Sequence, residues 1–248
     1  KGSLFGIDLD LTPYRHIVLY IFSGLTLITV LISLFAPAVG NFEKDLVAKG
    51  LSQAQTKMKL TRTNAENSQA TSFGVNKGVV ILGDSVALRS KDQIESSIDN
   101  VAIDAVVSRN LSTINDLLKD YADSNALAKD VVIAGGVNEI DDYKGVINKM
   151  IKNLPKGHHI IFVTPYNGSK SGSKAVSLVQ LRKYELEMAK KYDFVTVADW
   201  YQVAKENISI WNGTDGVHFG SDSDSINRGA KLYTNTIKEA IAKADQKP

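Results

Sequence analysis

The stretch "VVILGDSVALRS", residues 79–90, decides how the rest of the chain is read. Four apolar residues, Val79 to Leu82, run into Gly83-Asp84-Ser85, and then the pattern changes. A short, unbroken apolar run that ends on a glycine turn fits a strand buried on both faces. The residues after it open a helix, so Ser85 stands at a strand-to-helix turn. A serine there can cap the helix, or it can be a nucleophile.

The same alternation continues to the C-terminus. Candidate strands are Val79–Leu82, Ala102–Val107, Val131–Ala134, Ile160–Val163 and Val195–Val197. Candidate helices lie over Ser85–Ile98, Ser112–Tyr121, Asp142–Asn153, Ala175–Tyr192 and Ile226–Ala242. In the second of these, Ile114, Leu117, Leu118 and Tyr121 share one helical face. Short apolar strands separated by amphipathic helices predict a three-layer α/β/α, flavodoxin-like fold with a parallel five-stranded sheet.

Upstream, no charged residue occurs from Ile17 to Phe42. A membrane-spanning helix needs roughly 20 apolar residues, and Ile17 to Ala36 supplies them, with Pro37 as a stop. The expected order is a flank at 1–16, a transmembrane helix at 17–39, a polar linker at 40–77 and a domain at 78–248. Arg15 and His16 before the helix and Glu43, Lys44 and Asp45 after it put the flank on the cytoplasmic side and the domain outside the cell membrane. A signal peptide would have a shorter apolar region; a buried core helix is the other alternative. The chain starts at Lys1, not Met, as expected of a piece of something longer.

The 248 residues are 44% hydrophobic and 23% charged, with net charge +2, enough for one sizeable core and too balanced for a nucleic-acid partner. The absence of cysteine excludes disulfides, thiolate zinc sites and a cysteine nucleophile.

In open α/β sheets, ligands gather at the carboxyl edge of the strands. That edge should carry Ser85 and the loops "VVSRN" (106–110), "GGVNE" (135–139) and "TPYNGSKSG" (164–172). A serine nucleophile needs a base, most often a histidine oriented by a carboxylate. Of four histidines, His16 adjoins the apolar segment, and His158 and His159 precede a strand. His218 stands in "WNGTDGVHFGSDS", three residues after Asp215, where a tight turn would let the carboxylate accept from the imidazole Nδ1–H. The motif Gly-Asp-Ser-Val-Ala lacks the second glycine of the Gly-x-Ser-x-Gly elbow, which argues against an ordinary α/β-hydrolase.

"GDSV" early in the domain, a Gly-x-Asn loop mid-way and Asp-x-x-His near its end together resemble the SGNH/GDSL hydrolase superfamily. With an apolar helix and polar tether before it, the chain looks like the C-terminal part of the peptidoglycan O-acetyltransferase A family. The resemblance implies Ser85 as nucleophile, His218 as base and Asp215 as its orienting acid. It implies an oxyanion hole from Asn138 and the Ser85 N–H, with Ser108 standing where the family usually has glycine. A second departure is Glu139, where the family's third block usually has aspartate. The implied reaction carries an acetyl group through acetyl-Ser85 to the C6 hydroxyl of N-acetylmuramic acid in peptidoglycan, without metal or cofactor. The donor would be an acyltransferase membrane domain N-terminal to this chain.

Plainer readings stand beside these. Ser85 could only cap, Asn138 could only tolerate a left-handed turn, and His218 could be a solvated loop residue. Arg109 could bind substrate or be solvated; Trp211 could stack on a sugar, whereas Trp200 reads as core. Asp222 and Asp224 read as helix caps. A carbohydrate or lipid esterase would use the same residues with water as acceptor, and a non-catalytic wall-binding module is the remaining alternative.

Overall fold

The computed structural model of the chain describes residues 2–4, 7–9, 20–27, 76–138, 141–169 and 172–247. The chain divides into two units, Lys1–Lys44 and Asp45–Pro248. In the first, β1 (Gly2–Leu4) pairs antiparallel with β2 (Ile7–Leu9), in the flank where the sequence announced no element. Residues 20–27 form helix α1, with Tyr20, Phe22 and Leu27 exposed. The rest of the helix expected over 17–39, and the linker up to residue 75, lie outside the described residues. Among the described residues no helix is long and apolar enough to cross a membrane.

The second unit carries a parallel sheet built from β3 (Asn76–Gly83), β4 (Val101–Ala105), β5 (Ala128–Ala134), β6 (His159–Val163) and β7 (Val195–Ala198), in the order β4-β3-β5-β6-β7. Its helices are α2 (Ser85–Arg89), α3 (Lys91–Ser97), α4 (Leu111–Asp123), α5 (Tyr143–Asn153), α6 (Gly172–Lys191), α7 (Trp200–Glu206) and α8 (Ser223–Ala244). Side chains alternate across each strand. Val80, Leu82, Val131, Ile133, Ile160 and Phe162 form one core with α4, α5 and α6. Ile81, Ile103, Val132 and Ile161 are buried on the opposite face, where α3 packs against β4 and α8 against β6 and β7. This is the three-layer α/β fold with a five-stranded parallel sheet that the alternation predicts.

The strand register brings the carboxyl ends level: Gly83 pairs with Ala105 on one side and Ala134 on the other. From β3 the chain goes first to β4 on one flank and then to β5 on the other. The order therefore reverses at β3, which is where a crevice opens in such sheets.

Three local features depart from the expected pattern. The helix expected over Ser85–Ile98 breaks at Ser90 (φ −89, ψ 0), whose buried hydroxyl bonds back to the Val86 carbonyl. The second strand stops at Ala105, leaving Val106 and Val107 exposed in the loop. Helix α7 and the 3₁₀ turn Ile208–Trp211 fill the span between β7 and the last loop.

Gly83 ends β3 with no room for a side chain: a Cβ there would lie 2.6 Å from the Ala87 Cβ and 3.2 Å from the Ala134 carbonyl oxygen. Gly83→Ala should therefore destabilise by about 1–3 kcal/mol through overpacking. Urea unfolding checks this; an unshifted midpoint would mean that β3 and α2 are not packed this closely.

Candidate active site

Ser85 is the first residue of α2, and Asp84 caps that helix by accepting from the Val86 N–H at 2.9 Å. Asp84 in turn donates its own N–H to the Ala134 carbonyl at the end of β5. Ser85 is thus held between two strand ends at the point where the sheet order reverses. It is 4% exposed, and its Oγ lies 2.7 Å from His218 Nε2.

His218 reaches that position from 133 residues away along the chain. Its Nδ1 lies 2.7 Å from Asp215 Oδ2, while Asp215 Oδ1 accepts from the backbone N–H groups of Val217 (2.9 Å) and His218 (2.8 Å). Partial burial pushes the Asp215 carboxyl up. The N–H groups of His218 and Val217 and the imidazole outweigh that, and the net displacement is below its ordinary value. The result is a serine–imidazole–carboxylate relay, the arrangement that removes a serine proton and holds it on a histidine.

Two buried contacts hold the loop of His218 against α2. Arg89 donates from Nε to the Phe219 carbonyl and from Nη2 to the Gly220 carbonyl, both at 2.7 Å. Gly220 has φ +79, and a Cβ on it would fall 2.3 Å from the Ile226 nitrogen, so the turn leading to α8 requires glycine there. Asp222 then caps α8, as its place in the sequence suggests, and closes a capping box with Ser225; Asp224 lies in the first turn. Arg89 carried no signal in the sequence, because an arginine on an amphipathic helix reads as solvated.

Asn138 lies in the loop after β5 and donates from Nδ2 to the Arg109 carbonyl at 3.2 Å. A primary amide has a second N–H left for a ligand. Ser108 is exposed and has φ +61, the left-handed backbone that a glycine ordinarily supplies. Arg109 is engaged within the protein. Its guanidinium bonds to the Gly83 carbonyl (3.2 Å), the Asp104 carbonyl (2.7 Å) and Asp104 Oδ1 (2.9 Å).

The fourth loop also joins the site, since Gly168 N–H donates to the Gly216 carbonyl at 2.9 Å. Trp211 is half-buried, donates its indole N–H to the Ala204 carbonyl, and packs against Tyr166 with ring centroids 4.9 Å apart. Trp200 is buried against Phe219 and Tyr233, a core residue as its sequence context suggests. Asp130, His159 and Asp245 are the one group of described residues with ligand atoms close enough for a metal, within 4.8 Å of one another. They already bond among themselves and to Lys129, and Asp130 and His159 lie toward the amino ends of their strands, away from Ser85.

No family model matches the chain. Among solved structures, it is similar to the C-terminal catalytic domain of Streptococcus pneumoniae peptidoglycan O-acetyltransferase A, which was solved with a methylsulfonyl adduct. The two share 44% identity at a TM-score of 0.68, over 70% of this chain and 97% of that domain. The chain belongs to the peptidoglycan O-acetyltransferase A family. Its fold is that of the SGNH/GDSL enzymes: a Veillonella parvula GDSL-family lipolytic protein superposes with a TM-score of 0.53 at 15% identity, over 66% of this chain and 97% of that one. YrhL of Bacillus subtilis (strain 168), a candidate peptidoglycan O-acetyltransferase, is 28% identical over 165 residues, or 66% of this chain. The chain spans 24% of the length of YrhL.

Arg89 tests how far the base loop depends on its clamp. Arg89→Ala should cost about 1–3 kcal/mol, because it leaves two buried carbonyls without donors. It should also slow turnover more than it changes KM, since His218 loses its placement and not its chemistry. Unfolding and steady-state kinetics on the same preparation check both. Full activity in the alanine variant would show that the loop holds itself.

Proposed function

We propose that this chain is the catalytic part of a peptidoglycan O-acetyltransferase, transferring acetyl through acetyl-Ser85 to a muramic acid hydroxyl. Two things support the reading: the Ser85–His218–Asp215 relay, and its occurrence in a domain 44% identical to the catalytic domain of the pneumococcal enzyme. The relay is the observation that carries it. Neutral His218 takes the Ser85 proton at Nε2 as Oγ attacks the acetyl carbonyl carbon. Asp215, fixed by its own turn, faces the imidazolium that forms. The carbonyl oxygen becomes an oxyanion, held by the Ser85 N–H and the second Asn138 N–H, with the Ser108 backbone in place of the family glycine. The tetrahedral intermediate collapses, the leaving group takes the proton from His218, and acetyl-Ser85 remains.

The second half reverses these roles. His218 deprotonates the acceptor hydroxyl, the alkoxide attacks the acetyl carbon, and Ser85 leaves with the proton returned from the imidazolium. Every step is an acyl displacement or a proton transfer among these side chains. The acceptor we infer is the C6 hydroxyl of N-acetylmuramic acid at the cell wall. The donor is a membrane domain of the whole protein, and this domain works outside the membrane.

Ser85→Ala should lose at least about a thousandfold in turnover, since nucleophile and base act as a unit. A sulfonyl fluoride should add its mass to Ser85. Asp215→Asn should be weaker in effect than His218→Ala, because the imidazole survives without its orienting charge. With an activated acetyl ester and muroglycan oligomers, acetylated glycan should appear while acetate release falls. Unchanged acetate release with no acetylated glycan would replace transfer with hydrolysis at the same residues. Labelling of another serine would overturn the site itself.

A further inference from the structure

Asp84, the residue immediately before the nucleophile, presents a feature that capping does not explain. It is 1% exposed, and its Oδ1 accepts from the Val86 N–H. Its other oxygen, Oδ2, is buried without a hydrogen-bond partner. Asp84 also lines a small cavity, together with Val86, Ala134, Gly135, Val163, Trp200 and Tyr233, among others. The cavity is apolar on most sides, and a Cβ built on Gly135 would lie 3.9 Å from Oδ2. A buried carboxylate oxygen with no donor is costly, and the neutral carboxylic acid costs less in the same place because no charge is buried.

The charged and titratable groups around it leave that conclusion in place. Arg109, in the loop after β4, lowers the Asp84 pKa from a distance, but its guanidinium is bonded to Asp104 and to backbone carbonyls. Tyr233 of α8 lines the cavity, and burial first and the Asp84 charge second push its phenol well up. Tyr166 of the fourth loop lines it too, and burial raises its phenol. Arg89 is bonded to the Phe219 and Gly220 carbonyls, and His218 bonds to Ser85 and Asp215. Burial dominates this balance and raises the Asp84 carboxyl to about 7, against the pull of the Val86 N–H, of Arg109, and of the N–H groups of Ala87 and Asp84 itself.

We propose that Asp84 works as a neutral carboxylic acid, a positioning residue whose proton keeps negative charge away from the oxyanion that forms beside Ser85. The neutral acid still caps α2 through Oδ1. An ionised Asp84 would set a buried negative charge one residue from a developing oxyanion, and like charges in a dry site oppose each other strongly. The inference rests on the acyl-transfer reading of the site. Asp84 must keep its proton, so the rate falls as pH passes about 7.

The test is the pre-steady-state burst of an activated aryl acetate, which reports acetylation of Ser85, measured across pH in the intact chain. The burst rate should fall by about fivefold or more between roughly pH 7 and 9. Asp84→Asn is uncharged at every pH and keeps an oxygen to cap Val86, so it should lose that fall and remain active. Asp84→Ala should be slower at all pH values, and only the asparagine variant should restore speed. An inactive but folded asparagine variant, or one with the parent's falling limb, overturns the proposal.

Stability gives a readout that does not depend on activity. A carboxyl whose pKa is higher folded than unfolded binds more protons in the native state, so native stability falls as pH rises between the two values. The Tm difference between the Asp84→Asn variant and the parent should therefore shift in the variant's favour from about pH 4 to about pH 7. A flat difference would show a carboxylate that is ionised throughout, and would also overturn the proposal. An active Ser85→Ala would instead defeat the reading of the whole site. An inactive Ser85→Ala beside an unaltered Asp84→Asn profile would defeat this inference alone.

Discussion

The contact between Ser85 and His218 is braced by the Arg89 guanidinium, whose two 2.7 Å bonds tie the helix that carries Ser85 to the carbonyls of Phe219 and Gly220. Ser85 and His218 lie on separate parts of the chain, and one hydrogen bond between them could not fix a loop by itself. Arg89 adds charge-assisted bonds whose planar fork allows little freedom of approach. Its stem is buried, and its guanidinium lies 5.8 Å from the Phe219 ring centroid. Gly229 on α8 makes room for Phe219, since a Cβ there would fall 2.2 Å from the ring. One cation, two carbonyls and one missing methyl group thus join the Asp215 turn and the Gly168–Gly216 bond in placing the histidine.

The layer order was legible because burial imposes a period. Val79–Leu82, Val131–Ala134 and Ile160–Val163 read as strands buried on both faces, and all three lie within strands of the sheet. Ser85, Asp215 and His218 were legible as candidates for a different reason. Asp215 and His218 are three residues apart, so a single turn brings them together, and Ser85 follows directly from a strand end. Short-range spacing of this kind survives in a sequence. Residues whose partners are backbone carbonyls leave no such trace, and Arg89 and Arg109 are both of that kind. Solvent contact was an open reading for Arg109, yet only 11% of its side chain is exposed, because Asp104 and two carbonyls enclose it.

Boundaries were less legible than elements. Val106 and Val107 prolong an apolar run beyond the last ladder pair at Ala105, so composition extends the strand where hydrogen bonding ends it. Ser90 interrupts a helical pattern through a side-chain bond that depends on its burial. Trp211 illustrates the same limit for function. Its closeness to His218 in sequence suggested a platform for a sugar, and the fold places it in an aromatic cluster with Tyr166, Trp200 and Phe219. Its ring contacts and its indole N–H bond to the Ala204 carbonyl make it a support for the loop.

Asp215 and Asp84 show how the same side chain takes opposite parts in one site. The Asp215 side chain is 56% exposed, so water screens its charge, and three N–H contacts hold its position. Its value to the imidazole is therefore orientation at least as much as field. Asp84 is enclosed, with one N–H bond and one orphan oxygen, so a charge on it would be screened less than one on Asp215. On the proposed reading, a relay that creates an imidazolium and an oxyanion together favours a carboxylate on the imidazole side and no charge on the other. One aspartate exposed in a turn and another buried beside Ser85 fit that division.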